Sequence, residues 1–308
     1  MSRLAGRGSA EPSTQPAYPD DLRELVDDYL AALRFSEERA TEGLDEAMCY
    51  SLLAGGKRIR PVLALATARA LDRDPAELLP TAAAIELIHT YSLIHDDLPA
   101  MDDDELRRGR PTCHVAFGEN VAILAGDGLF AEANKLVLRH QQGSPERVLA
   151  ALREISEAIG VGGMVGGQYV DVAGAQELDA AALRHMHELK TGKLIGASIT
   201  VAPLLLGTSE ASQIALGRYA GELGVLFQIV DDILDVTGNE LEMGKASGTD
   251  ERLGKRTYVS VFGLERAQEL AGDSHRRARA ALDDARDTLP GDARDLERMT
   301  EFMYARNA

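Results

Sequence analysis

Apolar residues recur at helical spacing along nearly the whole chain. Leu22, Leu25, Val26, Tyr29, Leu30 and Leu33 follow an i, i+3, i+4, i+7 rhythm, which puts them on one face of an amphipathic helix. Similar rhythms predict helices over roughly 60–71, 76–98, 119–141, 145–160, 178–206, 209–237, 257–285 and 291–305. No stretch alternates convincingly with a period of two, so no sheet is predicted. Pro75 after Asp74, and Gly143-Ser144-Pro145, read as helix boundaries. Two segments, 83–98 and 214–236, are apolar on most faces and are expected at the centre, with the other helices around them. Residues 1–18 lack this rhythm and are rich in Gly, Ser and Pro, so a disordered leader with no role in the fold is expected. With no fixed-period repeat and no second linker, residues 19–308 are expected to form a single all-α domain.

Composition narrows the classes. Hydrophobic residues make up 45% of the chain, enough for a sizeable core. No run is judged long enough for a membrane span and the N-terminus lacks a signal-peptide core, so no stable membrane association is expected. Two cysteines, Cys49 and Cys113, make no disulfide framework, and a reducing cytoplasm is the default. A formal net charge of −17 argues against nucleic acid or an anionic membrane as partner. The same charge would repel an anionic substrate, which would then need metal ions and a locally basic pocket.

Two aspartate clusters carry the candidate chemistry: Asp96-Asp97 with Asp102-Asp103-Asp104, and Asp231-Asp232 with Asp235. Both sit in otherwise apolar, helix-forming stretches, where unpaired carboxylates are costly to bury. One divalent cation neutralises several at once, and hard oxygen ligands without Cys or His favour Mg²⁺ over Zn²⁺. Mg²⁺ held by few carboxylates completes its shell with water and phosphate oxygens, which points to a phosphorylated, diphosphate-type substrate. Asp231 and Asp235 are i, i+4 and share a helix face; Asp96 and Asp102 are six apart and do not. Pro99 should end the helix and let the chain fold Asp102 back towards Asp96.

Basic segments accompany the clusters. Gly55-Gly56-Lys57-Arg58-Ile59-Arg60-Pro61 joins two helices, and its cations at a helix start oppose the macrodipole unless an anion compensates. A bound phosphate or a nearby acidic side chain would serve equally. Arg107 and Arg108 either neutralise the first cluster or bind phosphate oxygens bidentately. Gly160–Gln168 lowers helix propensity and marks close helix packing or a cavity lining. His185 and His187 lie on different helix faces, and Cys113-His114 lacks further ligands, so zinc is not expected.

Taken in order, Gly55–Pro61, His95–Asp102 leading to Arg107–Thr112, Lys190-Thr191-Gly192, Gly224–Asp235 and Gly244-Lys245 resemble the trans-isoprenyl diphosphate synthases, from about residue 20 to the C-terminus. The resemblance implies antiparallel helices around a deep cavity, usually in a homodimer, and about three Mg²⁺ per site. It implies that Asp96, Asp97 and Asp102 bind Mg²⁺ on one side of an allylic diphosphate, and Asp231, Asp232 and Asp235 on the other. Arg107, Lys190 and Lys245 would contact that diphosphate, while Lys57, Arg60, His89 and Arg108 would hold isopentenyl diphosphate. Thr191 and Gln228 would place oxygen dipoles near a developing allylic cation. Glu105 stands where many relatives carry Asp.

The implied reaction ionises the allylic diphosphate in an apolar cavity and joins its cation to isopentenyl diphosphate, head to tail. Chain length would be set below Asp96 by Tyr91 and Ser92. Tyr91, with the Pro99-Ala100 insertion, resembles the farnesyl-producing type, and geranylgeranyl diphosphate is the alternative product. A terpene cyclase fits less well, because the basic Gly55–Pro61 segment and the second Asp cluster are present and aromatics are only 5%. A non-catalytic subunit of a heteromeric synthase typically loses one Asp cluster, and both stand intact here.

Overall fold

The segments that are apolar on most faces do form the centre. The computed structural model describes residues 17–173, 180–238 and 256–306. The central segments lie in α4 (Leu79–Asp96) and α11 (Glu210–Thr237). In α4 every residue from Thr81 to Ile88 is buried, and in α11 Leu223 to Phe227 are. Two further helices, α3 (Ile59–Ala70) and α10 (Lys193–Leu206), are buried almost throughout. Around them, α6 (Glu119–His140) runs along α4, and α13 (Leu264–Arg286) runs along α11. Helix α10 sits against α3, α11 and α7 (Pro145–Ile159). The amphipathic α1 (Asp20–Ala32) buries Leu22, Val26 and Leu30 against α3 and α4, and α14 (Arg294–Ala305) closes the bundle against α3, α11 and α13. This is the all-α architecture expected from the periodicity.

Capping explains several boundaries. The Ser144 hydroxyl accepts from the Arg147 amide with Pro145 in the first turn of α7, and Ser209 accepts from Ser212 to open α11. Gly263, at φ +80°, splits the periodic run 257–285 into α12 (Tyr258–Phe262) and α13.

Several details depart from the sequence expectation. Short helices α2 (Glu42–Leu52), α5 (Cys113–Phe117) and α8 (Met164–Val172) add to the predicted set. A minimal hairpin pairs β1 (Leu106–Arg107) with β2 (Arg110–Pro111), too short for alternation to reveal it. The run 178–206 is interrupted: α9 (Ala180–His187) passes into α10 through a π-turn over Glu188–Gly192. One stretch of this run, Ala181–Leu206, is after all long and apolar enough for a membrane span by length and composition. Over half of its most apolar window is buried inside the bundle, which accounts for its hydrophobicity.

Of the expected leader, residues 1–16 lie outside the described residues. Tyr18, at its end, does take part in the fold: its ring meets Phe302 edge-on with centroids 4.7 Å apart.

Candidate active site

The end of α4 turns as Pro99 requires. The helix stops at Asp96, and the Asp102 amide returns to donate to the Asp96 carbonyl at 2.9 Å, with Asp103 and Met101 donating to Leu98. Asp103 takes a left-handed φ of 52° to complete the reversal. The backbones of Asp96 and Asp102 are thereby brought together, although the two residues are off one another's helix face.

The side chains of this cluster divide. Asp96 lines a cavity of about 960 Å³, and its Oδ1 accepts from Gln168 Nε2 at 2.7 Å. Asp97 turns the other way and is buried, with both oxygens accepting from Arg107 Nε at 2.9 Å and Oδ1 also from Nη2 at 2.5 Å. Burial pushes the Asp97 carboxyl upward, and the Arg107 guanidinium opposes it. Asp104 lies 4.0 Å from the same guanidinium. Arg107 reaches the cavity while pinned from behind, a geometry that aims a cation at a ligand.

The second cluster is arranged alike. Asp231 lines the cavity, and its carboxylate is 3.9 Å from Arg306. Asp232 is buried: Oδ1 accepts from Gln228 Nε2 at 2.6 Å and Oδ2 from the Tyr258 amide at 2.7 Å. Asp235 is buried as well. Gln228, expected near the reacting carbons, has its amide end engaged by Asp232 and does not line the cavity. Among the lining residues, then, the carboxylates are Asp96, Asp231 and Glu86, the last of which accepts from Arg58 Nη1 at 2.7 Å.

The basic loop before α3 separates its cations by direction. Arg58, in a left-handed conformation, is buried and donates to Asp27, Glu86 and the Leu52 carbonyl. It is the acid-paired member that the sequence left open. Arg60 points to the cavity, with Nε buried and lacking a hydrogen-bond partner among the described residues. Burial lowers its pKa to about 10. His89 is held well below the usual histidine range by burial and by Arg60 and Arg108, so it is neutral at pH 7. Arg108 donates to the Gly55 carbonyl and lies flat on Gly56, where a Cβ would come within 2.7 Å of its Cζ. Gly56, at φ +127°, is therefore required twice over, for its backbone and for its bareness.

Opposite, the π-turn sets Lys190 and Thr191 into the cavity wall. The extra residue of a π-turn re-aims side chains, and such turns occur at functional sites. Lys190 Nζ donates to Asp171 Oδ2 at 2.6 Å. Gly167 makes room for the turn, since a Cβ there would meet the Lys190 amide at 2.2 Å. Tyr91, Met164, Val165 and Leu234 add apolar groups to the lining, with Ser92 beside Tyr91. Tyr91 meets Phe130 of α6 edge-on at 5.5 Å.

Of the expected site residues, the cavity gathers Lys57, Arg60, His89, Tyr91, Ser92, Asp96, Arg107, Arg108, Lys190, Thr191 and Asp231. Asp97, Asp232, Asp235, Gln228 and Asp102 are not in its lining; the first two serve as anchors for their neighbours. Lys245 lies outside the described residues. The run Gly160–Gln168, read as close packing or a cavity lining, does both, with Gly167 against Lys190 and Gln168 in the wall, whereas Asp171, Phe302 and Arg306 were not singled out by the sequence. Gln168 closes the Gly-rich run, and its Oε1 is buried without a partner among the described residues.

Comparison with known proteins agrees with this arrangement. Residues 41–288 match the Polyprenyl synthetase family. The farnesyl diphosphate synthase of Geobacillus stearothermophilus is 48% identical over 229 residues, 73% of this chain and 77% of that one. The chloroplastic geranylgeranyl pyrophosphate synthase of Capsicum annuum is 43% identical over 252 residues, 80% of this chain and 68% of that one. The crystal structure of the Helicobacter pylori geranyltransferase complexed with magnesium and isoprenyl diphosphate superposes with a TM-score of 0.84 at 32% identity, covering 94% of this chain and 98% of that one. The chain therefore belongs to the Polyprenyl synthetase family and is a prenyltransferase with the all-helical fold of the isoprenyl synthases.

Proposed function

We propose that the enzyme condenses isopentenyl diphosphate with dimethylallyl or geranyl diphosphate to give a short-chain prenyl diphosphate, farnesyl diphosphate in the first place. One observation carries this reading. One cavity is lined by both an acidic pair (Asp96, Asp231), suited to metal-bridged diphosphate binding, and a basic group (Lys57, Arg60, Arg108), suited to direct diphosphate binding, together with apolar side chains.

The acidic pair fits Mg²⁺. Among the described residues no three His, Cys, Asp or Glu side chains come close enough to hold a metal alone. The carboxylate oxygens of Asp96 and Asp231 are the hard donors that suit an ion which binds through one or two carboxylates and takes its other ligands from water and substrate phosphates. Asp96 and Asp231 would hold it, with Asp102 and Asp235 beside them and Asp97 and Asp232 as anchors. Bound there, Mg²⁺ would offset charge on the diphosphate and ease its departure.

The chain's own groups do the rest. Arg107 and Lys190, each held by a carboxylate, stabilise charge growing on the leaving diphosphate. Thr191 presents an oxygen dipole to the allylic cation, and the apolar lining keeps water from it. Lys57, Arg60 and Arg108 orient isopentenyl diphosphate with its double bond towards the cation, while neutral His89 completes that wall. Lys245 is assigned to the allylic diphosphate by resemblance only.

Farnesyl diphosphate is favoured if Tyr91, a lining residue whose ring is set against Phe130 and His95, serves as the floor for the growing chain. Geranylgeranyl diphosphate is the alternative, since both kinds of synthase are among the relatives. A homodimer is supported by the apolar residues that α6 leaves exposed, Ile123, Leu124, Phe130 and Leu138.

The test is a product assay with Mg²⁺, isopentenyl diphosphate and geranyl diphosphate. Farnesyl diphosphate should accumulate, EDTA should stop it, and Tyr91→Ala should shift the product to longer chains. No elongation with any allylic primer would refute the enzyme reading; an unchanged product from Tyr91→Ala would remove Tyr91 as the floor.

A further inference from the structure

The loop that carries Lys57 has an unusual backbone. Gly55 and Gly56 have φ of 83° and 127°, and Arg58 follows at 51°. Three such residues around one lysine do not hold their shape without ties. Two side chains close on the loop's carbonyls: Arg108 donates to Gly55, and the Tyr18 hydroxyl donates to Lys57 itself. Arg108 already belongs to the cavity wall. Tyr18 does not line it and comes from the far N-terminal segment, 39 residues earlier in the chain.

The same tyrosine also acts on the lysine side chain. Lys57 Nζ stands 4.8 Å from the centroid of the Phe302 ring, within reach of a cation–π attraction. The ring of Tyr18 meets Phe302 edge-on at 4.7 Å and so fixes the platform on which the ammonium rests. Lys57 and Phe302 both line the cavity. One residue thus steadies Lys57 at its backbone and beneath its charge, drawing together the N-terminal segment, the basic loop and the last helix.

We propose that Tyr18 is a positioning residue for the isopentenyl diphosphate side of the cavity, acting through Lys57 and not through contact with substrate. This rests on the function proposed above. Tyr18 makes its hydrogen bond and its ring contact on the basic side of the cavity, to Lys57 and Phe302, so the two substrates should respond differently to its loss.

Tyr18→Phe keeps the ring and removes only the bond to the Lys57 carbonyl. It should raise the KM for isopentenyl diphosphate about fivefold, the factor one net hydrogen bond is worth. The KM for geranyl diphosphate and kcat should stay within about twofold, the scatter expected of a distant, uncoupled site. Tyr18→Ala, which also frees the Phe302 ring, should raise the same KM further. Independently of activity, Tyr18→Phe should speed amide exchange in a peptide covering residues 53–60 while leaving the α10 peptides unchanged. Equal changes for both substrates, or no change in exchange over 53–60, would overturn the proposal. A wild-type protein that elongates no primer would refute the functional reading instead, and the exchange result would still judge the Tyr18 tie.

Discussion

At the end of α4, the carboxylate behind Asp96 is gripped by Arg107, ten residues further on in the same turn and hairpin. At the end of α11, the carboxylate behind Asp231 is gripped by the amide of Tyr258, 26 residues away across the segment 239–255. In each cluster one aspartate faces the cavity and its neighbour is buried as an anchor. The first anchor is an ion pair with a local partner; the second adds to its local bond from Gln228 a tie to distant backbone. The first anchor is thus held within its own turn and hairpin, while the second is only complete when the chain beyond it has folded back.

The largest effects should come from the residues the clusters share in role. Asp96→Asn and Asp231→Asn should each lower kcat by about 10²-fold or more, as loss of a group stabilising leaving-group charge does. If one of them left kcat nearly intact, the symmetry of the two cavity-facing aspartates would fail. Next come the anchors. Asp97→Asn and Asp232→Asn should each cost about 10- to 100-fold, the usual range for groups that orient others. The two should part in one readout: Asp232→Asn should loosen residues 256–262 in amide exchange, and Asp97→Asn should not. Identical exchange patterns would erase the distinction between local and distant anchoring.

The smallest effect concerns pH. His89, beside the basic wall, and His187, 3.7 Å from Asp232, are both kept neutral by burial, His187 down to about 4. Unfolded, each would take a proton near 6.5. The unfolded chain therefore binds more protons below that value, and stability present above about pH 6.5 is lost as pH falls towards about 4. For His187 the loss approaches about 1.4 kcal/mol per pH unit in that window. Melting curves of the substrate-free protein between pH 7.5 and 5 should flatten in His89→Gln and in His187→Gln. A slope unchanged by both would show that acid sensitivity lies elsewhere.

The sequence carried the helices, the central place of α4 and α11, and the turn at Pro99, because these depend on periodicity and on one residue's covalent geometry. The order of the motifs marked out both aspartate clusters, but it did not tell Asp96 from Asp97 or Asp231 from Asp232, of which the first of each lines the cavity and the second is buried. Residue pattern alone did not separate Arg58 from Arg60, and only the family resemblance put Arg60 with the substrate: a left-handed φ at Arg58 sends its guanidinium to Glu86 and Asp27. Nor could it pair Gln168 with Asp96 across 72 residues, or Lys57 with Phe302. Those partnerships exist only through packing, where no local pattern records them.

The wide turn between α9 and α10 has a consequence for how such a protein could change. An α-helix advances about 100° per residue, so the surplus residue in Glu188–Gly192 fixes how α9 is rotated relative to α10. Deleting one residue there would let the two helices merge into a regular rod, with the buried face of α10 undisturbed and Lys190 swung off the wall. A lineage could in this way become a catalytically silent bundle in a single step, with every aspartate still in place.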